Sequence, residues 1–217
     1  MPIEQKTILA AVKEAKGKAG KRNFVQSIEL ILNLQDIDMK STEGRLQENI
    51  ELPFPPLRKA NKICVIATGE LALKAKKANA DLIIDKDQLE SLAGKKKDLK
   101  KTANEYDFFL AEAPLMPLVG KVFGAVLGPR GKMPIPIPPT ANIESLIDKY
   151  RKTVTVRLRN QPVIQCRVGT EDMKDEEIAE NIQAVLRAVE AKLKRGIKNV
   201  KFVYLKTTMG NTVKIKP

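Results

Sequence analysis

The chain of 217 residues is strongly basic, since 39 lysines and arginines oppose 26 acids and give a net charge of +13 with a pI near 9.7. This balance favours a polyanionic partner, although solubility or the charge-rich surface of a thermophilic protein would also produce it. The chain has no histidine, which excludes histidine-based triads, proton relays and metal sites, and no apolar run approaches the roughly eighteen residues of a membrane span.

The N-terminal sixty residues predict one helix and two strands. Residues 3 to 16 form an amphipathic helix with a stop at Gly17, and their charge is unlike that of a signal peptide, so we expect a cytoplasmic protein. The partly alternating run from Phe24 to Leu34 predicts a strand. A second strand is predicted from Arg45 to Leu52, before three prolines break the pattern.

Strands and helices begin to alternate near Lys62. Three solidly apolar runs, ICVIATG, LIIDK and DFFLAEA, are separated by helical stretches, of which the second spans Gln88 to Tyr106. Apolar strands that alternate with helices are typical of a parallel sheet covered on both faces. Residues 64 to 150 therefore predict a compact α/β unit, in which Cys64 is expected to be a reduced core thiol.

The stretch from Tyr106 to Pro139 is the least generic part of the chain. Phe108 to Ala111 is a short apolar run that favours a buried strand, although periodicity alone does not separate it from a helix. The sequence GPRG that begins at Gly128 requires a turn. A nucleotide-binding P-loop is excluded, because Lys132 is followed by methionine rather than serine or threonine, and G-x-G-x-x-G is absent too. Taken alone, these glycines indicate a tight loop beside a sheet.

The run FFLAEAPLMPLVGKVFGAVLGPRGKMP, from Phe108 to Pro134, closely resembles the signature of the L-one family. This is the universal large-subunit ribosomal protein family that binds the rRNA of the lateral stalk beside the tRNA exit site. The length of the match and its order of glycine, proline and basic residues make the resemblance specific, and it extends over nearly the whole chain. It implies a protein in which one domain, built from both chain ends, surrounds an inserted second domain.

The C-terminal part returns to alternating strands. TVTVRLR and PVIQCRV predict two strands joined as a hairpin, and Cys166 in the second is expected to be another reduced core thiol. A helix follows, with an apolar stripe from Ile178 to Leu193, acids at its start and bases at its end. Two further strands, Val200 to Lys206 and Thr212 to Ile215, complete the chain.

The charge is concentrated at the two chain ends. Residues 64 to 150 hold 13 basic and 11 acidic residues, which leaves 26 basic and 15 acidic residues elsewhere. From the residues alone, an inserted domain and two or three serial domains both remain open. With the resemblance, we predict an α/β protein with two domains: a discontinuous α+β RNA-binding domain from residues 1–63 plus 151–217, and an inserted Rossmann-like three-layer α/β domain, 64–150.

Two short segments resemble the RNA-contact motifs of the family. In the first, KTTMG, we assign RNA binding to Lys206, Thr207, Thr208, Met209 and Gly210. Threonine hydroxyls can pair with a 2′-OH, glycine lets the backbone approach a ribose, and methionine offers a soft apolar surface. Without the resemblance, an ordinary hairpin turn at Gly210 would be the preferred interpretation.

The second segment runs from Asn23 to Glu29 and supplies Phe24, Ser27 and Glu29 as predicted RNA contacts. A carboxylate can accept hydrogen bonds from a 2′-OH or an exocyclic amine, although Glu29 is also consistent with a solvent-facing strand residue. Asn23 occupies a position where bacterial members often have a basic residue, so the resemblance does not supply a phosphate contact at Asn23. Strand position and charge support Lys206 again and add four further candidates: Arg157, Arg159, Gln165 and Arg167.

These features predict a non-enzymatic rRNA-binding protein without catalytic residues, cofactor or metal site. The resemblance further implies a place in the large-subunit stalk, contact with deacylated tRNA leaving the exit site, repression of the protein's own mRNA, and a monomeric state when free. The alternative is a nucleotide-dependent enzyme that uses the α/β unit, with Asp85, Asp87 and Glu112 as candidate carboxylates. A basic surface on the inserted domain is predicted to meet moving tRNA or rRNA: Lys95, Lys96, Lys97, Lys100, Lys101, Arg130 and Lys132.

Overall fold

The computed structural model describes residues 4–39, 44, 46–138 and 141–215. Residue 3, Arg45 and Pro139, which the sequence predictions include, lie outside the described residues. By its internal contacts the chain divides into two compact units, unit 1 (Met1–Lys59 with Lys152–Pro217) and unit 2 (Ala60–Arg151). The predicted fold class is confirmed, because parallel and antiparallel sheets with packed helices are both present.

The regular elements follow one another in chain order as α1 (Gln5–Gly17), β1 (Ser27–Leu34), β2 (Gln47–Glu51), β3 (Ile63–Ile66), α2 (Gly69–Lys77), β4 (Leu82–Ile84), α3 (Lys86–Leu92), α4 (Lys96–Glu105), β5 (Phe108–Glu112), α5 (Met116–Leu127), β6 (Ile135–Ile137), α6 (Ile143–Arg151), β7 (Thr153–Arg157), β8 (Val163–Thr170), α7 (Asp175–Lys192), β9 (Val200–Thr207) and β10 (Val213–Ile215). Short 3-10 turns lie at Leu57–Lys59, Ala113–Leu115 and Gly196–Asn199.

Unit 1 is built on an antiparallel sheet in the order β10-β9-β1-β8, with β2 and β7 paired beside it in a second, two-stranded sheet. Strands β1 and β9 alternate, so Leu30, Leu32 and Val203 are buried while the residues between them are only partly covered. The buried side chains form one core with apolar residues of α1 and α7. Both helices thus pack on the same face of the sheet.

The other face of this sheet carries mixed polar, aromatic and charged side chains that helices α1 and α7 do not cover, and we name it the open face. Strand pairing arranges it in cross-strand rows. Its central residues are Glu29, Ile31 and Asn33 of β1, Val163, Gln165 and Arg167 of β8, Phe202, Tyr204 and Lys206 of β9, and Lys214 of β10.

Unit 2 is a three-layer α/β structure around a parallel sheet in the order β4-β3-β5-β6. Strand β3 is buried along its whole length, as expected for a strand with helices on both faces. One face of the sheet packs against α3, α4 and α5, and the other against α2 and α6. The single helical stretch predicted from Gln88 to Tyr106 is in fact two helices, because Gly94 adopts a positive φ of 86° between them.

Within the described ranges, none of the helices combines the length and apolarity that crossing a membrane would require. Both cysteines are free thiols in the interior, Cys166 in the core of unit 1 and Cys64 in unit 2. Burial raises the pKa of the Cys166 thiol to about 12 and also raises that of Cys64. Both thiols are therefore unreactive as nucleophiles in the folded protein.

Candidate nucleic-acid interface

The two segments that resemble RNA-contact motifs lie side by side at one end of the unit 1 sheet. Strands β1 and β9 are antiparallel neighbours, so the start of β1 meets the end of β9. The backbone N–H of Ser27 donates to Oγ1 of Thr208 at 3.0 Å, and the N–H of Thr208 donates to the carbonyl of Ser27, also at 3.0 Å. Residues 181 positions apart in sequence are thereby joined into one surface.

Gln26 fastens these two segments to the end of α1, and sequence reasoning missed it. Its side chain is fully buried, and its amide nitrogen donates to the carbonyls of Ala19 and Gly20, each at 3.2 Å. Its amide oxygen accepts the backbone N–H of Met209 at 3.1 Å. A buried amide with partners on both ends fixes its neighbours in one arrangement, because leaving either end unpaired is costly. The signal available in sequence was a glutamine between Val25 and the apolar positions of the strand that begins at Ser27.

The backbone of Gln26 is also hydrogen-bonded to Glu171, the residue that follows β8. The backbone N–H of Gln26 donates to the Glu171 carboxylate at 3.0 Å, and the N–H of Glu171 donates to the carbonyl of Gln26 at 3.0 Å. The backbone of residue 26 is therefore held on one side while its side chain holds Met209 on the other. The segment from 24 to 29 is consequently presented in a preorganised form, which lowers the entropy cost of binding.

Phe24 and Met209 are presented to solvent at this end of the sheet. Phe24 is 48% exposed and Met209 is 59% exposed, and among the described residues only two other large hydrophobic side chains are exposed, Leu73 and Met133, both in unit 2. Exposed apolar side chains beside a set of backbone-fixing hydrogen bonds indicate a recognition surface. The sequence prediction for these two residues is compatible with their placement.

The two threonines of the motif differ in position. Thr207 lies opposite Ile28 on the buried side of β9, its side chain is completely buried, and its hydroxyl has no hydrogen-bond partner among the described residues. We therefore expect Thr207 to support the turn rather than to contact RNA through its hydroxyl. Thr208 is partly exposed, and its hydroxyl already accepts the Ser27 N–H.

Gly210 is required by close packing around this turn. A Cβ at residue 210 would lie 2.2 Å from Thr207 Oγ1 and 3.3 Å from Ala19 Cα, which is too close for a side chain without local rearrangement. Its N–H donates to the carbonyl of Thr207 at 3.2 Å and closes the turn. The glycine proposed to admit a ribose thus has a structural role as well, one that the sequence pattern did not reveal.

Cations flank the joined segments. Nζ of Lys59, in the turn Leu57–Lys59, donates to Oγ of Ser27 at 3.0 Å, and Nε of Arg58 lies 3.2 Å from Oδ2 of Asp172. Neither basic residue was predicted as part of the site, because the prolines before them suggested only a break after β2. Lys59 therefore adds positive charge next to Ser27, while Arg58 is paired with an acid.

Strand register brings together three of the other predicted residues. Glu29 is opposite Lys206 on β9 and opposite Arg167 on β8, so it lies between two basic residues in one cross-strand row. Gln165 belongs to the next row, opposite Ile31. Glu29 is therefore part of a mixed-charge row next to the motif end, and it does not repel a polyanion as an isolated acid would.

Arg157 and Arg159 are placed differently. Arg157 ends β7, where it pairs with Gln47 in the two-stranded sheet, and Arg159 is exposed just beyond that strand. Strand pairing in the described part of the chain does not connect them with Ser27 or Thr208. Their assignment to the RNA site stays a prediction from strand position and charge.

In unit 2, the place where doubly wound sheets bind nucleotides is occupied by a carboxylate. The strand order changes direction between β3 and β5, and ligands of such folds bind at the carboxyl ends of those strands. There, Glu112 accepts hydrogen bonds from the backbone N–H of Thr68 at 3.0 Å and from its hydroxyl at 2.9 Å. An anion on the very N–H that would receive a phosphate opposes nucleotide binding.

The other candidate carboxylates lie at the start of α3. Asp85 precedes α3, where its backbone N–H donates to the Gln88 side chain at 3.4 Å, and Asp87 lies in the first turn of the same helix. Acids at these positions favour a helix start through the helix dipole. Across the ranges described, acids and thiols do not cluster in a way that would hold a metal ion.

Lys132, predicted as part of a basic surface on unit 2, is engaged internally. Its Nζ donates to the carbonyl of Tyr106 at 2.7 Å and to that of Ala103 at 3.2 Å, so it satisfies the C-terminal end of α4. Desolvation lowers the pKa of Lys132. Arg130 is also bound, through Nη1, to the side chain of Asn104.

The amino-acid sequence of this chain is similar to those of known ribosomal proteins. The sequence model of the ribosomal protein L1p/L10e family matches residues 12–211. The chain is 52% identical over 211 residues to large ribosomal subunit protein uL1 of Methanothermobacter thermautotrophicus, with 97% of this chain and 99% of that protein covered. It is 49% identical to uL1 of Pyrococcus abyssi, covering 100% of this chain and 98% of that protein. It is 46% identical to uL1 of Thermococcus kodakarensis, with both chains fully covered.

Proposed function

This chain belongs to the ribosomal protein L1p/L10e family, and on that premise we propose that it binds rRNA through the end of the unit 1 sheet described above. As a member of the family it is a structural constituent of the large ribosomal subunit and not an enzyme. The nucleotide-dependent alternative is therefore set aside, which agrees with the carboxylate of Glu112 at the Thr68 N–H.

One observation supports the proposed site above others. The start of β1 and the turn after β9 are fastened together by Gln26 and by the paired backbones of Ser27 and Thr208, and this arrangement leaves Phe24 and Met209 exposed. Apolar side chains on a fixed backbone, with backbone groups beside them, suit the ribose edges and shape of a folded RNA. The discontinuous domain, residues 1–63 with 151–217, is thus the proposed rRNA-binding domain.

Affinity and specificity have separate sources in this proposal. Lys59, Lys206 and Arg167 neutralise phosphates and release counterions, which gives affinity without sequence information. Phe24, Met209 and Glu29 contact sugars and base edges, which gives selectivity for one folded RNA. The positive charge of the two chain ends contributes to steering the encounter.

Finer functions rest on the resemblance. We infer that the rRNA is that of the lateral stalk, that the protein assists release of deacylated tRNA from the exit site, and that it represses translation of its own mRNA. For repression, the mRNA element must present the same folded edge as the rRNA, because one rigid surface serves both. We further infer that the free protein is monomeric.

Salt dependence tests the rRNA-binding proposal directly. A structured rRNA fragment that co-purifies from the source cell should bind with an affinity that falls at least about tenfold between about 50 and 200 mM salt, because several phosphates are neutralised. Filter binding or fluorescence anisotropy gives the slope of log K against log salt. Lys59→Gln should reduce that slope by about one.

The matched control is Lys6→Gln, which removes an exposed lysine near the start of α1, at the far end of that helix from Ala19 and Gly20. It should leave the slope unchanged. A flat plot for the unmodified protein contradicts rRNA binding through phosphates. If both lysine variants reduce the slope equally, the affinity depends on the net charge of the protein and not on a phosphate contact at Lys59.

A further inference from the structure

The open face of the unit 1 sheet continues away from the motif end and carries two aromatic rings that the rRNA site does not use. Phe202 and Tyr204 are separated by one residue on β9, point to the open face, and have ring centroids 6.0 Å apart at an interplanar angle of 51°. Both side chains are partly exposed. Aromatic residues on a strand normally bury their rings in a core, so two rings on the uncovered face require an explanation.

Positive charge surrounds these rings. Nζ of Lys214, on the neighbouring strand β10, lies 3.9 Å from the centroid of the Phe202 ring, and Nζ of Lys201 lies 5.5 Å from it. Lys214 is directly opposite Tyr204 in the strand register. Two ammonium groups near one ring repel each other and attract an anion. Rings bordered by cations are complementary to a ligand with flat bases and a phosphate backbone.

We propose that the open face is a stacking surface for single-stranded RNA, with unpaired bases on Tyr204 and Phe202 and with phosphates against Lys214, Lys201 and Lys206. This deepens the proposed function and rests on it, because Lys206 and Glu29 link the rings to the motif end. A folded rRNA held at Phe24 and Met209 would then extend an unpaired strand across the sheet.

The sheet geometry suits successive bases. Phe202 and Tyr204 are on the same side of one strand, because side chains alternate along β9, and their spacing permits two neighbouring bases to stack on successive rings. The Lys214 ammonium above Phe202 is not an obstacle. An exposed cation–π contact contributes less than base stacking on a ring, and the flexible lysine chain can move to a phosphate when a base takes its place.

The test uses the full chain and three fluorescein-labelled probes in anisotropy titrations at low salt. These are an octamer of uridylate, an abasic octamer with the same phosphates, and the structured rRNA fragment. The protein should bind the uridylate octamer about tenfold more tightly than the abasic octamer, since only the former can stack. Ultraviolet crosslinking followed by mass spectrometry should locate uridine on the peptide that contains residues 202 to 204.

Matched variants separate rings from charge. A double variant, Phe202→Leu with Tyr204→Leu, should bind the uridylate octamer about tenfold more weakly and leave the abasic octamer unaffected. The pair Phe202→Tyr with Tyr204→Phe retains both rings and should restore binding. Lys214→Gln should weaken both octamers, whereas Lys6→Gln should weaken neither. Thermal denaturation of every variant confirms that it is folded.

Each result decides between the two proposals. The stacking proposal is wrong if the protein binds the uridylate and abasic octamers with equal affinity, or if the leucine variant binds the uridylate octamer as tightly as the unmodified protein does. The open face would then be a basic surface that attracts any polyanion. If the structured rRNA fragment still binds in that case, the proposed rRNA function stands alone. If the unmodified protein binds none of the three probes, both proposals fail.

Discussion

Met209 is the residue whose exposure is hardest to explain without a partner. At 59% exposure it contributes little to the core, yet its backbone N–H is fixed by the buried Gln26 side chain. A flexible apolar side chain can adapt its shape to a ribose or base. Because the backbone that carries it is already ordered, binding does not have to pay the entropy cost of ordering that segment. We therefore expect the Met209 side chain to serve in ligand binding and not in the stability of the fold.

Met209→Asp should weaken binding to the rRNA fragment by at least about 2 kcal/mol, because it places an anion and its desolvation cost against the sugar edge. Equilibrium filter binding measures the change. Met133→Asp is the control, since Met133 is a similarly exposed methionine in unit 2. Equal affinities for the Met209 variant and the unmodified protein would move the site elsewhere on the surface.

Gln26→Met replaces a buried amide by an apolar side chain of similar shape and leaves the Met209 N–H and the Ala19 carbonyl without their partner. We expect a loss of about 1–3 kcal/mol in the free energy of unfolding, measured by urea denaturation. Binding should also weaken, because the turn at Met209 is no longer held. Gln5→Met, at an exposed glutamine in the first turn of α1, should change neither quantity appreciably. A Gln26 variant of full stability would show that the amide bonds do not hold the turn.

At the scale of elements, the sequence predicted most strands and helices because their patterns are local. The alternation around Leu30 and Leu32 and the apolar stripe of α7 both appear in the structure. The features that the sequence did not predict depend on contacts between residues far apart in the chain. The row of Lys206, Glu29 and Arg167 depends on register between strands that are far apart in the chain. Gln26 and Lys59 were missed for the same reason.

The loop around Gly131 illustrates this difference. Its turn was predicted from glycine and proline, and Gly131 does adopt a positive φ of 70°. The role of the following lysine depends on where α4 ends, which no local pattern shows. Lys132 donates to the carbonyls of Ala103 and Tyr106, so the loop and the helix end stabilise each other.

Lys132→Met should therefore destabilise unit 2 by about 1–2 kcal/mol, since it leaves carbonyls at the end of α4 without a charged donor. Faster alkylation of Cys64, which is buried in unit 2, reports this opening. Lys121→Met removes an exposed lysine on α5 and should leave the rate unchanged. If Cys64 reacts at the same rate in both variants, Lys132 does not stabilise the loop.

At the scale of the whole molecule, each unit has a core composed of its own residues and contains one buried cysteine. Within unit 1, the N–H of Leu52 donates to the carbonyl of Lys152 at 2.9 Å. Within unit 2, the Asn61 side chain donates to the carbonyl of Tyr150 at 3.0 Å. The two ends of unit 2 therefore lie close together, as an inserted domain requires.

Replacement of residues 60–151 by a Gly/Ser linker of about eight residues should consequently leave a protein that folds and binds the rRNA fragment, because such a linker spans roughly 16 Å without strain. Slow alkylation of Cys166, whose raised pKa of about 12 and burial protect it, would show that the unit 1 core has formed. The excised segment 60–151 should protect Cys64 but bind the fragment weakly, since the exposed Phe24 and Met209 are absent from it. Tight binding by that segment and none by the joined ends would reverse the assignment of the rRNA site.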